Sequence, residues 1–158
     1  MVFGATLLPS SFEISREVIV EKPVRTVHAS LSDLSQWSKW DPWQTRESGA
    51  GLKVLTQNES ETKAVWLRDG QESGRITLKA TTQETQLTII IETPRVPQRT
   101  LLIQLQDLGG KTRVTWQVSG ENGMYPLGNI FALQMEKYVG ANYEDALKKL
   151  KQHLENKY

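Results

Sequence analysis

The sequence predicts an α+β domain: a curved antiparallel sheet of six to seven strands, covered on one face by a single long carboxy-terminal helix. Three observations carry this. Hydrophobicity alternates with a period of two from Ser11 to Lys22, as in a strand with one wet face. Short segments rich in β-branched and aromatic residues recur between Lys63 and Ser119, separated by Gly, Pro and Asp turns. From Leu127 to Leu154 the apolar residues return at spacings of three and four, the period of one helix face.

In the first strand Phe12, Ile14, Val18 and Val20 share one phase with Arg16, while Glu13, Ser15, Glu17, Ile19 and Glu21 form the other. Pro23 then opens a short amphipathic helix, at a position where its missing N–H is no loss. Val24, Val27, His28, Leu31 and Leu34 recur along that helix, and His28 reads as a packed boundary histidine. Ser35 is placed to cap a further turn carrying Trp37 and Trp40. Asp41-Pro42 ends that turn, because the proline ring disfavours helical backbone in the residue before it. The stretch Asp33 to Trp43, DLSQWSKWDPW, thus gathers three of the chain's five tryptophans.

Residues 44 to 62, with Gly49, Gly51 and Asn58, read as a loop or weak strand around Leu52, Val54 and Leu55. The strands Lys63–Arg68, Arg75–Thr81, Gln86–Thr93, Thr100–Asp107 and Thr112–Ser119 follow. Their connections at Asp69-Gly70, Pro94 to Pro97 and Gly109-Gly110 are short enough to make sequence neighbours pair antiparallel. The final helix presents Leu127, Ile130, Phe131, Met135, Tyr138, Tyr143, Ala146, Leu147, Leu150 and Leu154 on one side. At about 28 residues it is roughly 42 Å long. Gly140 within it costs up to about 1 kcal/mol relative to alanine, and is read as a point of close approach by a strand or another chain. A sheet with one apolar face needs a cover, and this helix is the element left to supply it.

Composition narrows the function. A chain of 158 residues suits one domain, taken as 11–158 behind a tail at 1–10. Its net charge is +1, with no cluster of Lys and Arg beyond a solvated helix face at Lys148, Lys149 and Lys151, so nucleic acid is not an expected partner. There is no cysteine, and the two histidines, His28 and His153, stand far apart. Neither a metal nor a cofactor is expected, because no ligand spacing, phosphate loop or nucleophile elbow occurs. The apolar run before Pro9 is too short to span a bilayer. Two readings of it stay open: a tail leading into the first strand of a cytoplasmic protein, or the remnant of an upstream membrane anchor.

The order strand, short helix pair, meander and long terminal helix, with FEISREVIVEKPVRTVHASLSDLSQWSKWDPW at the front and KTRVTWQVSGEN before the last helix, resembles the START-like helix-grip superfamily. More narrowly it resembles the polyketide cyclase/dehydrase and lipid-transport branch often labelled SRPBCC. The resemblance runs from about Phe12 to Glu155. It implies a helix-grip fold in which the sheet curls around the helix and leaves an apolar cavity for a small hydrophobic ligand, and some relatives carry an amino-terminal membrane helix.

On that basis Trp40, Trp66, Trp116, Phe131, Met135 and Tyr138 are the expected ligand-binding wall, and Arg16, Arg68 and Gln104, read as inward-facing, are expected polar orienters. The tryptophans have a competing role, since Trp37 and Trp40 would also serve to plug the small helices onto the core. Met124, Tyr125, Pro126 and Gly128 read as a lid-like entrance. The expected function is binding or carriage of a small lipid, aromatic or polyketide-like molecule. The alternative is a cyclase/dehydrase-type enzyme, with Glu92, Asp107 or Tyr138 as acid–base groups, and no catalytic residue is assigned. A protein-interaction module is a lesser option, because the outer phases at Arg75, Thr77 and Lys79 are polar.

Overall fold

The computed structural model describes residues 11–40, 51–80, 83–94, 96–121 and 128–156, with side chains described throughout these ranges except at 38, 51, 96 and 128–139. Trp43, the tail before Ser11 and the segment Met124 to Pro126 lie outside the described residues. The elements in order are β1 (Ser11–Val20), α1 (Val24–Ser32), a 3-10 helix (Leu34–Lys39), β2 (Gly51–Gln57), β3 (Glu61–Arg68), β4 (Gln71–Lys79), β5 (Gln86–Thr93), β6 (Val96–Asp107), β7 (Thr112–Glu121) and α2 (Gly128–Glu155). The expected pair of short helices is therefore one α-helix and one 3-10 turn.

The seven strands form one antiparallel sheet in the order β1-β7-β6-β5-β4-β3-β2. From β2 to β7 it is a meander, and β1 joins at the far edge beside β7. The weak segment around Leu52 and Val54 is a strand, paired with Trp66 and Ala64 of β3. β4 begins four residues before the sequence pattern suggests. Asp69 and Gly70 both hold positive φ, at 52° and 75°, which makes them a tight hairpin turn that returns the chain straight into pairing. β6 likewise begins early, at Val96, because Pro97 sits in the register shift opposite Glu92, where its missing N–H breaks no regular ladder.

α2 runs parallel to β1 and is fastened to it at successive points. Arg16 Nε donates to Glu144 Oε1 at 2.9 Å, Lys151 Nζ to the Ile19 carbonyl at 2.7 Å, and the Glu21 amide to Glu155 Oε1 at 2.8 Å. These contacts also cover part of the free edge of β1, which would otherwise offer unpaired backbone groups. Tyr143, Ala146, Leu147, Leu150 and Leu154 form the buried stripe of α2 against the sheet. Gly140 serves the close approach foreseen for it: the Arg16 guanidinium crosses the helix there, and a Cβ would lie 3.0 Å from its Cζ.

Gly74 gives β4 a similar seat for Trp66. An added Cβ would stand 2.6 Å from Cε3 of the indole and 3.2 Å from Thr93 Cγ2. A buried fused ring cannot swing aside as a flexible chain would. Gly74→Ala is therefore expected to destabilise the fold by about 1–3 kcal/mol, the usual range for overpacking, read as a lower urea midpoint at unchanged slope.

Candidate functional site

Residues 33–40 of the tryptophan-rich stretch fold against one end of the sheet–helix sandwich. Asp33, rather than Ser35, caps the 3-10 helix, its carboxylate accepting the Ser35 amide at 3.1 Å. The turn that follows sends Trp37 and Trp40 inward, and Trp37 Nε1 donates to the Leu31 carbonyl at 3.0 Å. β7 contributes Trp116 and α2 contributes Tyr143. Ring centroids lie 4.6 Å apart for Trp37 and Trp40, 5.6 Å for Trp40 and Trp116, and 5.4 Å for Trp116 and Tyr143, the last pair edge to face. None of the four side chains is more than 2% exposed. This end of the sandwich is packed solid with aromatic rings.

Elsewhere on the inner face the described wall is largely aliphatic, and one cross-strand row carries a charge. A single register row crosses all seven strands, through Phe12, Gly120, Arg99, Ile91, Ile76, Ala64 and Val54. Ile91, Ile76 and Ala64 are fully buried, and Arg99 is the row's only ionisable side chain. Gly120 makes room for it. A Cβ there would lie 3.0 Å from Phe12 Cε1 and 3.1 Å from Arg99 Cγ, so the glycine lets the aromatic ring and the arginine stem lie together on β7.

At the far end of that stem, Arg99 Nη2 donates to Thr93 Oγ1 at 2.8 Å, whereas Nε is buried and has no hydrogen-bond partner among the described residues. Burial pulls the guanidinium below its ordinary value, opposed by Tyr143. Burial also pushes the Tyr143 phenol up to about 12, against the pull of Arg99. At neutral pH both groups keep their protons. Arg99 and Thr93 thus form a polar pair on an otherwise apolar wall.

A second feature opens beside α1. A depression of about 250 Å³ is lined by His28, Ser32, Asn58, Glu61, Thr62, Leu78, Lys79 and Leu87, and a neighbour of about 290 Å³ shares Ser32 and Thr62 with it. His28 is half-buried there, its Nδ1 3.3 Å from Ser32 Oγ. At the rim Glu61 is paired with Lys79 and Lys63, which hold its carboxyl below the usual range.

Compared with known proteins, the chain matches the family model for polyketide cyclase / dehydrase and lipid transport over residues 11–155. The chain belongs to this family. Solved structures agree on the fold of this polyketide cyclase/dehydrase family member. The Zhui aromatase/cyclase of a Streptomyces species superposes with a TM-score of 0.68 at 13% identity, covering 92% of this chain and 94% of that one. A protein of Chromobacterium violaceum gives 0.65 at 16% identity, covering 95% and 100%. One from Thermus thermophilus gives 0.65 at 17%, covering 90% and 97%. No curated protein matches the chain in sequence. The SRPBCC-type helix-grip architecture is thus shared, at identities that speak for fold alone.

Within this family member the residues expected along a ligand wall fall into three groups. Trp40 and Trp116 meet in the aromatic cluster. Trp66 lies on the same inner face toward the other edge of the sheet, above Gly74. Phe131, Met135 and Tyr138 fall in the first half of α2, where side chains lie outside the described residues.

Of the polar orienters, Arg16 shares the inner phase but turns to the rim. It holds Glu144, donates Nη1 to the Ser15 carbonyl at 2.8 Å, and lines a groove of about 420 Å³ with Val18, Leu147 and Lys148. Arg68 is exposed at the end of β3, beyond a register shift after Trp66. Gln104 faces outward, correcting the expected phase. Leu101, Ile103 and Leu105 take the inner side, and the adjacent Leu102 had made the two phases look alike.

Glu92 is exposed opposite Arg75, and Asp107 accepts the Gly109 amide at 2.9 Å as part of a turn. Arg99 is the residue that the sequence reading missed. The signal was present, since Arg99 stands two residues before Leu101 on the buried phase, but a strand begun at Thr100 excludes it.

Proposed function

We propose that the protein binds or carries a small hydrophobic or amphipathic molecule, of lipid, aromatic or polyketide-like character, between the inner face of the sheet and α2. One observation supports this above the others: an aliphatic wall that carries Arg99, hydrogen-bonded to Thr93. Small-molecule sites have this composition, with apolar area supplying affinity and a few polar groups fixing orientation. The polar groups of this region favour binding over acid–base work. An arginine does not deprotonate near neutrality, and a phenol held at about 12 is a donor, so neither abstracts a proton at pH 7.

The likeness to an aromatase/cyclase supports a second reading, in which Arg99 and Tyr143 donate to a substrate carbonyl during a cyclase/dehydrase reaction. The two readings share the site and differ in turnover.

Native mass spectrometry of gently purified protein, with a titration of the neutral fluorophore N-phenyl-naphthylamine, tests the proposal. The expected result is a co-purified apolar mass, or saturable enhanced emission at one site per chain. A bare protein mass together with no saturable emission overturns it.

A further inference from the structure

We infer that the bound molecule carries an anionic head, a carboxylate or similar oxyanion on an otherwise apolar body, and that Arg99 receives it. This rests on the binding reading above and makes it more specific.

Arg99 lies half-buried on the inner phase toward the end of β5 and β7, between Gly120 and Ile91 in the cross-strand row, with the fully buried Ile91 beside it. Such a charge is costly to bury unless an opposite charge or several acceptors meet it. Thr93 supplies one neutral acceptor, and Nε remains without one among the described residues. The carboxylates that form ion pairs in the described structure are engaged elsewhere: Glu144 with Arg16, Glu72 with Arg75, Glu61 with Lys79 and Asp145 with Lys149. Among the described residues, no carboxylate forms an ion pair with Arg99.

Guanidinium is matched in shape to a planar oxyanion and binds one more strongly than it binds neutral oxygen. A neutral apolar ligand would leave the arginine unanswered. An anionic amphiphile satisfies it, with its apolar body against the inner face of the sheet.

The probe pair is anilinonaphthalene sulfonate and N-phenyl-naphthylamine, the same ring system with and without the anion. Wild-type protein is expected to bind the sulfonate about tenfold more tightly, the scale of one charge-assisted hydrogen bond. Arg99→Met should weaken the anionic probe about tenfold more than the neutral one. Arg99→Lys, which keeps the charge, should retain most of the preference and guards against a variant that fails to fold.

Equal affinity for the two probes in wild type, or a preference that survives in a folded Arg99→Met protein, overturns the inference while leaving the binding reading intact. Failure of both probes removes the binding reading and this inference with it. Displacement of the sulfonate by inorganic phosphate at similar concentration would assign Arg99 to a free anion and overturn the amphiphile.

Discussion

Trp116→Ala is expected to cost about 3–5 kcal/mol, the range for removing a large buried aromatic side chain and leaving a cavity behind. The total stability of a domain this size is about 5–15 kcal/mol, so the variant should be unfolded in a substantial fraction of molecules or melt far below wild type. The expectation follows from position. Trp116 is fully buried and lies within 6.2 Å of the ring centroids of Trp37, Trp40 and Tyr143. Truncating it withdraws the common neighbour of rings from the 3-10 helix and from α2 and opens a gap that three stiff elements cannot close together. Urea titration followed by far-UV circular dichroism measures the loss, and a change under about 1 kcal/mol would show that the cluster repacks freely. The same result disqualifies Trp116→Ala as a probe of ligand binding, because a fall in affinity would only report unfolding.

The second large effect is one of pH. Tyr143 ionises at about 12 in the folded protein and near 10 when the chain is unfolded. Its raised value means that folding favours the protonated phenol. The contribution is fully present below pH 10 and is lost as pH climbs from 10 toward 12, because the unfolded chain gives up the proton first. At about 1.4 kcal/mol per pH unit, the wild type should lose about 3 kcal/mol over that interval beyond whatever its lysines contribute. Tyr143→Phe lacks the group and should show only the background slope. Urea midpoints at pH 9 and pH 11.5 for both proteins give the comparison, and parallel slopes would contradict a buried, protonated Tyr143.

Much of this architecture was legible in the order of residues, because each element had a period of its own. Strict alternation from Phe12 to Val20 and the three-and-four spacing from Tyr143 to Leu154 both survive as buried stripes. Legibility failed where two signals overlapped. Leu101-Leu102 hid the phase of β6, which turned Gln104 the wrong way and left Arg99 out of view. The density of tryptophan at residues 37 to 43 advertised importance without saying of which kind. Rings that plug a core and rings that line a cavity obey the same apolar preference, and only the 4.6 to 6.2 Å spacings show Trp37, Trp40 and Trp116 filling one another's space. The bond from Arg99 to Thr93 was hidden for a related reason, since a pattern that starts β6 at Thr100 leaves Arg99 in the connection.

The pairing of β1 with β7 sets a timetable for the nascent chain. The Lys22 carbonyl accepts from Thr112, 90 residues downstream, and the Glu21 amide reaches Glu155, 134 residues downstream. At a synthesis rate of about 5–20 residues per second, the first strand waits roughly 5–20 s for β7, its sheet neighbour among the described residues, to be made. Until then a segment built to pair stands alone at the ribosome, and the whole fold is held open for its last strand.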